Sequence, residues 1–88
     1  MNYTVFDLKK KTVINVTDGK QLGRVCDVSF SYPQGSVEGI IIREGKLFSG
    51  DKFLIRLACI EKIGKDTVLV KLSNKEESVA VAFSDEEE

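Results

Sequence analysis

From Thr12 onward, apolar and polar residues alternate with a period of two in short runs, and no stretch keeps helical spacing for more than a single turn. A chain without helices cannot use them to cover a sheet, so its strands must cover one another. The runs are Thr12–Val16, Arg24–Tyr32, Val37–Arg43, Phe53–Leu57, Thr67–Leu72 and Ser78–Phe83. The one helical signal is Thr4 ahead of Val5–Lys9, a hydroxyl able to cap one turn. Within Arg24–Tyr32, strict alternation places Cys26, Val28, Phe30 and Tyr32 on one face and Val25 and Asp27 on the other. Ile40-Ile41-Ile42 is apolar on both faces, which suits a central strand covered on both sides. Six short strands of this kind close on themselves or form a sandwich, because a small open sheet would leave edges and apolar surface in water. The expected architecture is all-β: a closed or partly open barrel of about six short antiparallel strands.

The turns between these runs carry their own chemistry. Thr17-Asp18-Gly19-Lys20-Gln21-Leu22-Gly23 and the block Ile60–Val70 around Gly64 place glycine where the chain must reverse, a geometry that often needs φ > 0. Valine at Gly23 or Gly64 is then expected to cost roughly 1–3 kcal/mol. Tyr32-Pro33-Gln34-Gly35 is a third turn, with proline fixing φ and glycine relieving strain at the end.

At 88 residues the chain has room for one modest core, and 42% apolar with 31% charged residues is the balance of a soluble globular domain. No apolar run approaches the roughly 20 residues of a membrane helix, and the start shows no basic-then-apolar leader pattern, so a cytoplasmic location is expected. Cys26 and Cys59 lie far apart without metal-ligand spacing and are expected as reduced strand residues. Charge divides along the chain: residues 1–72 carry 12 Lys/Arg against 8 Asp/Glu, whereas residues 73–88 carry Lys75 against six acids. The acidic end, read as disordered over 84–88, either solvates the chain terminus or screens a basic face of the body.

The chain contains no histidine, which removes Ser-His-Asp and Cys-His catalysis and the commonest metal ligand. No catalytic, metal or cofactor-binding residue is assigned. Asp27 and Asp18 lie beside turns, where a carboxylate most often accepts from neighbouring backbone. Lys9-Lys10-Lys11 has no interleaved aromatics and reads as a solvated lead-in to a strand. Asn15-Val16-Thr17 fits a glycosylation sequon by chance. Gly19-Lys20 followed by Gly23 lacks the spacing of a phosphate loop. The stretch 44–52 is the functional candidate: a glycine-flanked loop carrying adjacent Leu47 and Phe48, which either fold back over a barrel end or meet a partner, rimmed by Lys46 and Lys52.

The order of these motifs resembles a known family. A first strand, Asp18-Gly19-x-x-Leu22-Gly23, a strand containing Val25-Cys26-Asp27-Val28, a Pro33-x-Gly35 hairpin and Gly39-Ile40-Ile41-Ile42 together look like the PRC-barrel, and Lys62-Ile63-Gly64-x-Asp66 looks like its closing half. Within that family the chain resembles the small stand-alone, sporulation-associated YlmC/YmxH group. The resemblance covers about residues 3–72. Where small members usually have Ile-Pro-Trp, this chain has Ile55-Arg56-Leu57, and its 44–52 loop is shorter and less aromatic. The resemblance implies a PRC-barrel-like domain over 1–72; the segment 73–88 matches nothing in the family, and the strand at 78–83, read from its alternation, is a candidate to complete the domain. It further implies a non-enzymatic protein-binding or assembly module, self-associating as a homodimer or other homo-oligomer in a bacterial, sporulation-linked context. The alternative is an RNA- or ribosome-associated module, since the same barrel resembles the C-terminal domain of a ribosome maturation factor and the body carries excess positive charge.

Overall fold

The computed structural model describes residues 2–44 and 52–72, together with the backbone of 78–80. It opens with α1 (Val5–Leu8), a single turn closed by a reciprocal capping box. The Thr4 hydroxyl accepts from the Asp7 N–H at 3.1 Å, and the Asp7 carboxylate accepts from the Thr4 N–H at 2.8 Å. Seven strands follow: β1 (Thr12–Asn15), β2 (Lys20–Phe30), β3 (Val37–Arg43), β4 (Lys52–Arg56), β5 (Ile60–Ile63), β6 (Thr67–Val70) and β7 (Ser78–Ala80), with a 3-10 turn at Leu57–Cys59 between β4 and β5. They form one sheet in the order β5-β6-β1-β2-β3-β4-β7. Every neighbouring pair is antiparallel except β1 and β6, which run parallel.

The all-β, partly open barrel expected from the alternation is therefore the architecture, with one strand more than the pattern shows. The extra strand is β5. It is four residues long, carries Glu61 and Lys62 at its centre and bulges between Ile60 and Lys62, so no alternation marks it. The sheet coils around a core to which α1 and five strands contribute: Leu8, Val13, Val25, Ile40, Ile42, Ile55, Val68 and Val70 are all buried in one cluster. Burying such side chains, at roughly 1.5–3 kcal/mol each, is the main force holding the coil. Ile41 is 5% exposed yet lies outside that cluster, so β3 is covered on both faces, as its three consecutive isoleucines imply.

Strand β2 begins at Lys20, four residues earlier than alternation places it, and spans 11 residues. Its first part pairs with β1 and its second with β3. At the changeover stands Gly23, with φ +148; a Cβ there would lie 2.2 Å from the Arg43 carbonyl oxygen. Gly64 has no such constraint, since its φ is not positive and the nearest atom to an added Cβ is the Thr67 hydroxyl at 3.4 Å. The expectation of φ > 0 holds for Gly23 and fails for Gly64, where the 65–66 bend supplies the reversal.

Bulges also correct the face assignment of β2. Register shifts skip Leu22 in the pairing with β1 and Cys26 in the pairing with β3. Each extra residue moves the following side chains to the other face. Val25 and Val28 therefore both pack on the core, although strict alternation separates them.

Two polar ties lock the ends of β1. Asn15, 7% exposed, accepts at Oδ1 from the Thr17 N–H and from the Leu72 N–H, both at 3.1 Å, which joins the β1–β2 turn to the chain leaving β6. Its side chain is buried in this knot, which fits the reading of Asn15-Val16-Thr17 as a chance sequon. Lys11, at the other end, donates through Nζ to the Gly64 carbonyl at 2.9 Å and to the Lys65 carbonyl. One member of the lysine run is thus a clamp on the β5–β6 turn rather than a solvated charge.

Two measurements check this account. Gly23→Val is expected to destabilise by about 3 kcal/mol, combining overpacking with backbone strain, while Gly64→Val stays within about 1 kcal/mol of wild type in denaturant unfolding. Asn15→Ala leaves a buried N–H without its acceptor and is expected to cost about 2 kcal/mol by the same measurement; an unchanged midpoint would show that water replaces the amide.

Candidate functional site

The β2–β3 hairpin overhangs the core. The last residue of β3 paired with β4 is Gly39, opposite Arg56, so Val37 and Glu38 have β2 as their only partner strand among the described residues. Gly39 permits the tight crossing there, since a Cβ would lie 2.0 Å from the Ile55 carbonyl oxygen. Beyond this point Phe30 and Val37 face each other across the hairpin, 65% and 46% exposed, and Tyr32 stands at the turn, 88% exposed. The turn itself is held by hydrogen bonds of 2.8 Å from the Ser31 N–H to the Ser36 carbonyl and from the Gly35 N–H to the Ser31 carbonyl. Gly35 takes φ +81, and the Tyr32–Pro33 peptide is cis. The 3-10 turn packs against β3 and brings half-exposed Leu57 to the same end of the sheet.

A polar rim borders these apolar groups. The second bulge of the β2–β3 pairing, at Glu38, frees its side chain to accept from the Ser29 and Ser31 hydroxyls, one on each carboxylate oxygen, both at 2.8 Å. Those two hydrogen bonds, and then the nearby positive charge of Arg56, hold the Glu38 carboxyl below its ordinary value of 4.5. A carboxylate, two hydroxyls and a guanidinium thus flank the exposed aromatics.

The site residues expected from the sequence fare differently. Lys46, Leu47 and Phe48 lie outside the described residues, as does the acidic stretch 84–88. Lys52 is not in a loop: it opens β4, half-buried and opposite Arg43. Asp18 and Asp27 do accept from neighbouring backbone, from the Lys20 N–H at 3.0 Å and the Val28 N–H at 2.8 Å. Neither cysteine is in a disulfide: Cys26 stands at a bulge of β2, and Cys59 sits in the 3-10 turn rather than in a strand. Sequence reasoning assigned Phe30 and Tyr32 to a strand face and missed their exposure. The available signal was their position flanking a Pro-Gly turn, but nothing local reveals that β4 stops pairing at Gly39.

Because the folded pKa of Glu38 is lowered, the contribution of its hydrogen bonds to the hairpin is complete above the unfolded value and is lost as pH falls through the folded one. In a carboxyl-carbon NMR titration Glu38 is expected to show a midpoint below 4.5. Ser29→Ala and Ser31→Ala should each move that midpoint upward, and a wild-type midpoint at or above the ordinary value would remove the rim geometry.

Comparison with known proteins adds a relationship to this geometry. The PRC-barrel domain model matches residues 2–77. The chain is also similar to the protein described as "Probable sporulation protein YlmC" of Bacillus subtilis (strain 168), 35% identical over 75 residues that span 80% of this chain and 93% of that protein. No solved structure matches it. No helix among the described residues is long and apolar enough to cross a membrane. With a family match over most of its length and a coiled, almost helix-free sheet to go with it, the chain belongs to the PRC-barrel family.

Proposed function

We propose that this protein is a non-enzymatic protein-binding and assembly module that self-associates through the overhanging end of the β2–β3 hairpin. The observation that carries the reading is the exposure of Phe30, Tyr32 and Val37 beyond the last row of core contacts. Aromatic groups of this size stand in water at a cost that a partner surface removes, and aromatic anchors dominate interface energetics. A second copy is the occupant the charges favour. Glu38 and Arg56 sit close together on the same rim, so a two-fold contact sets each acid against the other copy's base. The absence of histidine from the sequence supports a role without catalysis. Similarity to a protein described as a probable sporulation protein supports a sporulation-linked setting.

Light scattering and sedimentation of the purified chain test the reading. Phe30→Ser/Tyr32→Ser is expected to weaken self-association by about 2 kcal/mol, roughly 30-fold in Kd, with an unchanged melting temperature because both side chains are exposed. Leu47→Ser/Phe48→Ser in the same assay tests the loop as the anchor instead. A monomer at every concentration in the wild type would overturn self-association. Binding of an RNA oligonucleotide that falls steeply with salt would point to the RNA-associated alternative.

A further inference from the structure

Strand β2 changes partners partway along and leaves one of its edges open. At its start that edge is paired with β1, and the last tie is at Val25, whose N–H donates to the Lys11 carbonyl at 3.0 Å and whose carbonyl accepts from the Lys10 N–H at 2.9 Å. Lys10 takes φ +74, and N-terminal to it the chain leaves the edge for α1. From Asp27 to Phe30, β2 is paired with β3 alone among the described strands. The register decides which backbone groups face the open side. The Ser31 N–H donates toward β3, to the Ser36 carbonyl, so alternation back along β2 turns the N–H and C=O groups of Phe30 and Val28 away from β3. One of these groups is capped: the Val28 N–H donates to the carboxylate of exposed Asp27 at 2.8 Å, a bond that fits an N–H facing away from β3.

The open segment is complementary to itself. Set antiparallel about a two-fold axis through Ser29, two copies bring Val28 opposite the partner's Phe30 and Phe30 opposite the partner's Val28. Each pair exchanges two backbone hydrogen bonds through the groups that face outward. Val28 packs partly on the core, and Phe30, two positions along, shares its face and is 65% exposed. An aromatic side chain opposite a β-branched one is a favourable cross-strand pair. Asp27 falls opposite the partner's Ser31, and the two Asp27 carboxylates stand about 13 Å apart along the strand, so no like charges are opposed. We infer that the outer edge of β2 over Val28–Phe30 is a strand-pairing surface fitted to the same segment of a second copy, and that the Asp27 carboxylate keeps it closed by holding the Val28 N–H. Exposed strand edges invite such pairing, and a charged side chain on the edge blocks it. Contact through the exposed aromatics of the hairpin end leaves the Val28 N–H in place, so the two associations are read separately.

Sedimentation and amide hydrogen exchange test this on the wild-type chain, on Asp27→Ala, which removes the cap, and on Asp27→Asn, which keeps an acceptor oxygen and removes the charge. Pairing gives up one cap in each copy, and each cap favours the closed edge roughly tenfold, so Asp27→Ala is expected to self-associate about 100-fold more tightly than wild type. Its Val28 and Phe30 amides should gain protection as protein concentration rises, whereas protection of the wild-type Val28 amide stays independent of concentration. Asp27→Asn is expected to remain within about tenfold of wild type. If alanine lowers the melting temperature, Asp27→Val, which suits a strand and likewise accepts no hydrogen bond, gives the same reading. Alanine and valine variants that associate no more tightly than wild type overturn the proposal, as does tighter association without concentration-dependent protection of Val28. Equal tightening by Asp27→Asn overturns the cap and makes the charge itself the barrier. Wild-type Val28 protection that rises with concentration shows the edge already paired and overturns the closure by Asp27.

Discussion

The passage of β2 past the end of β3 at Gly23 governs the rest of the molecule. On one side of that residue β2 belongs to the group β5-β6-β1, and on the other to β3-β4-β7; among the described strands, β2 joins the two by hydrogen-bonded pairing. The Arg43 carbonyl oxygen approaches to within 2.2 Å of where a side chain would begin, so the crossing is open to glycine alone. A similar approach at Gly39, where β4 crosses β3, coils the second group. These two contacts bend a sheet of short strands far enough for Val13, Val25, Ile40, Ile55 and Val68 to meet in one core. An unbent sheet of this size would present those side chains to water.

Polar groups finish what the bend begins. Asn15 and Lys11 sit at opposite ends of β1, and each reaches chain far away in sequence: Asn15 to Leu72, Lys11 to Gly64 and Lys65. Both satisfy backbone groups that the parallel β1–β6 pairing leaves at its ends. Among the described residues no long helix braces this junction, and side-chain to backbone bonds take that part.

The same economy shapes the outer surface. Among the described residues only a short turn of helix and a 3-10 turn flank the sheet, and the aromatics at the hairpin end of β2–β3 stand exposed. Bulges set which groups appear there: the one at Glu38 turns a carboxylate toward Ser29 and Ser31 and makes a polar border for Phe30 and Val37. Charge on the opposite stretch of sheet follows register alone, which lines up Arg24, Arg43 and Lys52.

Much of this was legible in the residues. Period-two alternation, the Thr4 cap, Val37–Arg43 as a doubly covered strand and the order of turn motifs were sufficient for an all-β barrel of this family, because each depends on local spacing and backbone preference. Strand β5, the parallel pairing of β1 with β6, the faces of Cys26 and Val28 and the exposure of Phe30 and Tyr32 were not legible. They depend on bulges and on where a distant strand stops pairing, and a one-residue slip in register reverses a face without changing any local pattern. Gly23 and Gly64 make the contrast plainest. The sequence marks both as turn glycines, but only the tertiary structure sets Gly23 inside β2 with a carbonyl from another strand against it and leaves Gly64 an ordinary contact with Thr67.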